Sequence, residues 1–480
     1  MPIGETRRVK VALISPPPAS PWAFVDYQYP LIGLAYLAAV LEKDGQEVMV
    51  IDCPPQRLTY THIEQDIARF QPDIVGITSV TATFISALKV AKTAKQVYPH
   101  ALVVLGGPHV TIADDQFILK HPEVDVVVKG EGEQTIVELA RYISNNGVKS
   151  LSEVAGITFR NNGQMVRTAR RPCIQNLDEL PYPAYHYFPL IKYRIFKKIG
   201  VPMLTSRGCT SNCSFCLVPE IGGNNFRART PTSVANELER VRDRYHIDFV
   251  TFNDEIFTYD KKRVLDICLE IKQRRIKVPW DCQTRVDLVS KELLQRMKEA
   301  NCQLVNFGVE SGSQTILNAM KKGTTVQQNE ESIRMTKEAG LSVTVSLVLG
   351  YPGETKETIG ETIDFIKKTE PDDLYLYLAT PFPSTELRES VLEIGWNMSQ
   401  DWNTYEMQTA SFENISLPFD RINNVREVFY NQLYSPSYIV RQSLKGTIYS
   451  KIMVENALHQ LLWRFKLPWL SSNFKRLVRL

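Results

Sequence analysis

Twice along this chain, short apolar runs alternate with segments of helical period, and that alternation limits the fold more than any other feature. The first series runs Val9–Ile14, Gln46–Asp52, Asp73–Thr78, Ala101–Leu105 and Val124–Val128. Helical patterns lie among them at Leu31–Asp44, Thr61–Phe70, Phe84–Tyr98 and Gln134–Asn145. Short apolar strands alternating with amphipathic helices predict an α/β unit, a doubly wound parallel sheet covered on both faces. Such sheets take their ligands beyond the carboxyl ends of the strands. Glycines and hydroxyls collect there, in Thr78-Ser79-Val80-Thr81, Gly106-Gly107 and Gly130-Glu131-Gly132. Glycine lets a backbone approach a ligand closely, and it also serves a tight turn.

The alternation resumes at residue 201. Apolar runs at Met203–Thr205, Phe249–Phe252, Pro279–Arg285, Leu304–Ser311, Ser342–Gly350 and Leu374–Leu378 are separated by helical patterns. Six such units fall short of the eight that close a barrel, so an incomplete (β/α)6 barrel is expected. Its strand ends are polar: Asn253-Asp254-Glu255, Gln283 and Arg285, Glu310 and Ser311, and Gly350 through Glu354. Each residue alone reads equally well as a helix cap or salt bridge. Their shared place at one rim favours ligand contact.

Between the two series, residues 151–200 read as a linker. It holds a hairpin about Asn162-Gly163, a good type I′ pair, and then Pro172, Pro181, Pro183 and Pro189 among aromatic residues. The expected domains are therefore 1–150, the linker 151–200, the barrel 201–400 and a helical segment 401–480. In that last segment Ile452–Phe465 has helical spacing, and Trp463–Leu480 carries five positive charges and no acid. This composition suits a helix on an anionic membrane surface, or a helix docked on the barrel with a solvated basic face.

Charge is nearly balanced at +3 with 23% charged residues, so no basic field argues for nucleic acid. Eight cysteines in 480 residues are too few for a disulfide scaffold, which favours a cytoplasmic setting. No signal peptide is read in Met1–Lys10, and no apolar stretch is long enough for a membrane span.

Three of those cysteines, Cys209, Cys213 and Cys216, lie within eight residues after the apolar run Val201–Leu204. A loop this tight can wrap three thiolates around an iron–sulfur cube. Most clusters take four cysteines, so three mean either a missing ligand or an iron left open to a small molecule. Zinc would want a fourth Cys or His nearby, and the next histidine is His246. Cys268, Cys282 and Cys302 are scattered and read as packing thiols.

The Cys-x-x-x-Cys-x-x-Cys spacing, with Phe215 before its last cysteine, resembles the signature of the radical S-adenosylmethionine (SAM) superfamily. The resemblance implies a [4Fe-4S] cluster on Cys209, Cys213 and Cys216, with SAM chelating the open iron. Reductive cleavage of SAM then yields a 5′-deoxyadenosyl radical, the electron coming from a donor such as flavodoxin or ferredoxin. It further implies SAM contacts from Phe215, Asn253, Asp254, Glu255, Gln283, Arg285, Glu310, Ser311 and Gly350. The Asn253–Glu255 run would grip the methionine amino group and Arg285 its carboxylate. Glu310 and Ser311 would lie near the ribose or carboxylate, and the Gly350 motif under the adenine.

Ile77-Thr78-Ser79, Leu105–Thr111 and Val128–Thr135 are similar to the cobalamin-binding domain that precedes the radical domain in one SAM subclass. Thr78, Ser79, Thr81, Gly106, Gly107, Gly130, Glu131 and Gly132 are then the implied cobalamin contacts. None of the seven histidines lies in the Asp-x-His-x-x-Gly motif that supplies a cobalt ligand. Cobalamin is accordingly expected without a protein histidine below it, and His109 reads as a turn residue. The whole arrangement is similar to the group containing anaerobic magnesium-protoporphyrin IX monomethyl ester cyclase and hopanoid-modifying proteins. It implies methylation, or cyclisation or rearrangement, at an unactivated carbon of a hydrophobic small molecule, lipid-like or tetrapyrrole. Two other readings stay open: a radical SAM enzyme without cobalamin, and a non-catalytic iron–sulfur or zinc sensor.

Overall fold

The computed structural model describes residues 7–18, 29–146, 151–193, 198–414 and 419–464. The chain forms two compact units. One comprises Met1–Tyr193, Leu217–Arg227 and Gln400–Glu406; the other comprises Arg194–Cys216, Ala228–Ser399 and Met407–Leu480.

In the first unit, β1 (Lys10–Ser15), β2 (Glu47–Asp52), β3 (Ile74–Thr78), β4 (Leu102–Gly106) and β5 (Val126–Val128) are parallel, in the order β2-β1-β3-β4-β5. The helices Ile32–Lys43, Tyr60–Phe70, Phe84–Val97 and Glu133–Asn146 follow the expected runs. Ile14, Ile51, Val75, Ile77, Val103 and Leu105 are buried in one core beneath the helices at Ile63, Ile67 and Ala91. Burying each such aliphatic side chain is worth about 1.5–3 kcal/mol.

The hairpin expected within the linker belongs instead to this sheet. β6 (Ile157–Asn161) pairs antiparallel with β5, and β7 (Gln164–Arg167) pairs with β6. Ile157 and Phe159 are buried, so β5 gains a covered edge. Asn162 and Gly163 both have positive φ, as a type I′ turn requires. Asp115 anchors the addition, accepting from Thr158 Oγ1 at 2.6 Å and Arg167 Nε at 3.0 Å. Burial works against its ionisation, but these donors prevail and its pKa falls to about 2.

In the second unit, β8 (Gly200–Met203), β9 (Phe249–Phe252), β10 (Trp280–Thr284), β11 (Cys302–Glu310), β12 (Ser342–Leu349) and β13 (Asp373–Leu378) are parallel and ordered as in the sequence. This is the expected six-stranded incomplete barrel. Side chains alternate along each strand. One face carries Phe252, Trp280, Phe307, Val345 and Leu376, all buried. The register places Thr251, Asp281, Gln283, Asn306, Ser346 and Tyr375 on the other face. That polar face opens toward the strand ends, where Gln283, Asn306 and Ser346 are only half-buried.

The amino ends of these strands are closed by the helices Phe419–Leu433, Pro436–Lys445 and Ile448–Arg464. Tyr438 Oη donates to the Asp372 carbonyl at 2.5 Å and Gln442 Nε2 to the Asp372 carboxylate at 2.7 Å. Tyr434 and Asn456 both donate to Asp373, and the Tyr449 ring lies against Phe249. Of the two readings of the tail, docking on the barrel holds for the described part of the last helix, where Tyr449, Met453 and Ala457 are buried. Residues 465–480, on which the membrane reading rests, lie outside the described residues. No helix among the described residues is long and apolar enough to cross a membrane.

Candidate functional site

The cysteine loop leaves the carboxyl end of β8 and is fixed at its root by a buried carboxylate. Asp254, fully buried just beyond β9, accepts from Thr205 N at 2.6 Å, from Thr205 Oγ1 at 2.5 Å and from Ser206 Oγ at 2.6 Å. Arg263 reaches the same point from the helix Lys261–Gln273, donating to the Thr205 carbonyl at 2.8 Å. Buried charges persist where donors and counter-charges meet them, and this network does so. Asp254 thus holds the root of the loop, its carboxylate engaged by three donors. Its neighbours differ: Asn253 is exposed and Glu255 half-buried.

Within the loop, Ser214 is the pin. Its N–H donates to the Met320 carbonyl at 3.0 Å, its carbonyl accepts from Leu387 N at 2.9 Å, and its hydroxyl meets Tyr351 Oη at 2.7 Å. Phe215 packs on the apolar cluster of Ile316, Met320, Tyr351 and Leu387, which fixes its ring. All eight cysteines are free thiols. Among the described residues, no three His, Cys, Asp or Glu side chains are grouped to hold one metal ion. Three cysteines with no fourth Cys or His in the loop supply the donor count of an iron–sulfur cube with one open iron.

Two cations stand beside Cys213. Arg285 Nη1 lies 3.9 Å from Cys213 Sγ, and Arg285 is held by Asp287 at 3.0 Å and by the Lys322 carbonyl at 2.9 Å. Burial pushes the Cys213 thiol up, while Lys322 and Arg285 pull it back toward the thiolate that ligation needs. Lys322, itself buried, donates to Glu310 Oε1 at 2.7 Å. Glu310 sits at positive φ (66°) where the register of β11 and β12 slips, a local bulge. Its carboxylate folds back over Gly308: a Cβ there would stand 2.6 Å from Glu310 Oε1 and 2.9 Å from Lys322 Nζ.

Ser311 and Gly350 do not join this group. Ser311 is fully buried, its hydroxyl 3.1 Å from Thr362 Oγ1, and it also accepts from Ser313 N. It fastens the strand end to the helix Lys356–Thr369. Gly350 has both backbone polar groups engaged, donating to Glu354 at 2.6 Å and accepting from Asn414 at 2.9 Å. Its role is the turn, which its φ of 78° requires. Burial pushes Glu354 up to about 7, against the pull of the Gly350 N–H.

At the ligand-binding end of the first sheet, Gly107 is the tightest point. Its φ is 99°, and a Cβ would lie 2.7 Å from the Ser79 carbonyl oxygen and 2.8 Å from Thr78 Oγ1. The turns after β3 and β4 therefore touch backbone to backbone, with Ser79 N donating to the Gly106 carbonyl at 2.9 Å. Thr81 Oγ1 meets His109 Nδ1 at 3.2 Å. The His109 ring is buried against Phe84 and Trp402, and burial lowers its pKa to about 4, so it is neutral. Gly130 is exposed at φ 75°, and Gly132 lies against Leu37.

Glu131 was expected to meet the cofactor. It is instead spent on Arg227, whose Nη1 lies 2.9 Å away, and on Ile174 N at 2.6 Å. Arg227 also donates to the carbonyls of Ile174 and Gly222. What remains open at this rim is backbone, glycine and hydroxyl. Such a cradle suits a broad uncharged ring system approached by main chain, and so fits a corrin.

Sequence reading missed Ser214, Arg263, Lys322 and the half-buried Asn306 and Ser346. The last two carried a signal, polar residues at alternate positions of apolar strands. The others had none, since each acts through a partner distant in the chain.

The radical SAM superfamily profile matches residues 203–366, and a B12 binding domain profile matches residues 23–140. An uncharacterised methyltransferase of Pyrococcus horikoshii is 37% identical over 83% of this chain and 86% of its own length. Anaerobic magnesium-protoporphyrin IX monomethyl ester cyclase of Cereibacter sphaeroides is 31% identical, over 80% of this chain and 64% of that protein. In fold, the chain is similar to the radical S-adenosylmethionine methyltransferase TsrM of Kitasatospora setae, solved with cobalamin and a [4Fe-4S] cluster. The TM-score is 0.71 at 19% identity, over 90% of each chain.

Proposed function

Because the chain belongs to the radical SAM enzymes that carry a B12 binding domain, we propose that it methylates an unactivated carbon of a hydrophobic small molecule. The supporting observation is Cys213 flanked by Arg285 and Lys322 at the mouth of a polar sheet face. When bound, the cluster and SAM supply a carbon radical, and a corrinoid supplies a transferable methyl group.

This chain's residues do the rest. Cys209, Cys213 and Cys216 hold three irons, and Ser214 keeps their loop in place. Arg285, with Lys322 beside it, would present positive charge to the SAM carboxylate, and Asn253 and Glu255, just past β9, would meet its amino group. Gln283, Asn306 and Ser346 line the floor on which the nucleoside would rest. Thr78, Gly106, Gly107, Gly130 and Gly132 carry the corrin on backbone. An electron donor of the flavodoxin or ferredoxin class completes the system.

A second reading, oxidative cyclisation of a tetrapyrrole, draws on the 31% identity to the cyclase. Anaerobic turnover with SAM carrying a labelled methyl group separates the two. Label transferred to product supports methylation; deoxyadenosine formed with an unlabelled, cyclised product supports the second reading. Absence of deoxyadenosine under reductant from cluster-loaded protein overturns both.

A further inference from the structure

The helix Pro436–Lys445, one of the three that close the amino end of the barrel, has two unlike faces. Ser435 caps its start, accepting from Tyr438 N at 3.2 Å, and Gly446 ends it at a φ of 66°. Its inner face is fastened down. Tyr438 and Gln442, one helical turn apart, are buried and donate to the carbonyl and the carboxylate of Asp372. Val440 and Leu444, spaced the same way, stand on the opposite side. Leu444 is 83% exposed and Val440 60%, more than any other large apolar side chain among the described residues. Packing on the barrel does not account for them, since both face water.

Charge gathers in the same part of the chain. Beyond residue 427 lie eight basic residues and one acid, Glu455, so this stretch carries +7; the remaining 48 basic and 52 acidic residues leave −4 for everything before it. The near balance of the whole thus conceals a basic end. The helix itself has no acid. Of its two cations, Lys445 turns inward to Asp372, while Arg441 lies over the Tyr438 ring and shares Glu370 at 3.4 Å. Lys451, in the helix Ile448–Arg464 that packs on it, is exposed. Exposed aliphatic tips do nothing for a nucleic acid, whose binders combine cations with stacking aromatics. A second copy of the chain would set like charge against like. Aliphatic tips beside cations match a bilayer with negative headgroups: the tips enter the acyl boundary and the cations stay among the phosphates.

We infer that the outer face of the helix Pro436–Lys445 docks on an anionic lipid surface, Val440 and Leu444 entering it and the basic end of the chain holding it by charge. The surface lies at the amino end of the barrel, away from the rim that carries Cys213, and the inference is independent of the cofactors.

Flotation of the full chain with vesicles of phosphatidylglycerol and phosphatidylcholine tests it, with phosphatidylcholine alone as the comparison. The natural chain should float with the anionic vesicles, bind the neutral ones at least about tenfold more weakly, and let go as salt rises from about 0.05 to about 0.5 M. Val440→Ser combined with Leu444→Ser should weaken anionic binding roughly tenfold or more, with melting temperature and vesicle-free deoxyadenosine formation unchanged. Leu444→Trp, which enlarges the apolar tip, should tighten it, so the face stays testable even where the serine variant folds poorly. Equal binding to both vesicles, no flotation of the natural chain, or unchanged affinity in both variants overturns the assignment. So does a dimer of the natural chain, seen by sedimentation velocity, that the serine variant turns into monomer, since a second copy would then own the face.

Discussion

The two sheets finish in opposite ways at their carboxyl ends. In the first, the one charged residue of the glycine turn, Glu131, is withdrawn into a buried pair with Arg227, and what faces outward is backbone and hydroxyl. In the second, charge is kept at the rim: Arg285, Glu310 and Lys322 gather beside Cys213, and a bulge and a glycine are arranged to hold them there. One fold principle, strand ends as a binding site, has been fitted to two kinds of guest. A large neutral ring needs closeness, which glycine supplies; a small zwitterion needs countercharge, which buried side chains supply.

The sharpest test of this contrast removes a sulfur. Cys213→Ala should abolish bound iron and sulfide and all deoxyadenosine formation while leaving corrinoid titration untouched. Loss of both cofactors together would break the division of labour.

Next in size is Lys322→Met. Removing one partner of a buried pair leaves Glu310 unmatched and should cost about 3–5 kcal/mol by denaturant unfolding. The double change Lys322→Met with Glu310→Gln should recover most of that stability. It should still bind SAM roughly 10–100-fold more weakly by calorimetry, because the charge is gone. Full recovery of SAM binding would reduce the pair to a structural feature.

Gly107→Ala probes the neutral rim. A Cβ at 2.7 Å from a carbonyl oxygen and at positive φ forces the turns apart, at about 1–3 kcal/mol. Corrinoid affinity should fall and cluster content stay constant.

The smallest effect is a drift with pH. Asp281 and Glu354 are both pushed up to about 7 by burial, well above their usual values of 3.8 and 4.5. The folded state therefore keeps protons that the unfolded chain releases, and stability falls as pH rises from about 4 to 7, then levels off. Asp281→Asn should flatten part of this decline, measured as melting temperature against pH. A decline that is equally steep in the variant would relocate the proton.

The fold was legible because period is legible: two series of apolar runs predicted both sheets, and six runs predicted an open barrel. The hairpin at 157–167 was misplaced since nothing local says which edge a hairpin joins; the open side of β5 decided it. The cysteine trio was legible from spacing alone. Side-chain direction was not. Asp254, Ser311 and Glu131 stand at the expected strand ends, yet their polar atoms turn to Thr205, Thr362 and Arg227. A sequence gives position along a strand but not which of several nearby donors a carboxylate will choose. Lys322 shows the converse, an unremarked loop lysine that becomes central only through a partner on another strand.

The helices that close the amino end of the barrel carry a practical consequence. Asp281 and Asp373 sit at that end, and Tyr434, Tyr449 and Asn456 are delivered to them from beyond residue 430. Trimming the chain to the segment that matches the radical SAM profile would remove Asp373 with its strand, flood the nearly dry Asp281 and strip Phe249 of its covering ring. Chimeras that exchange tails between relatives, whatever they intend for substrate choice, must import a phenol and an amide at those places or forfeit solubility.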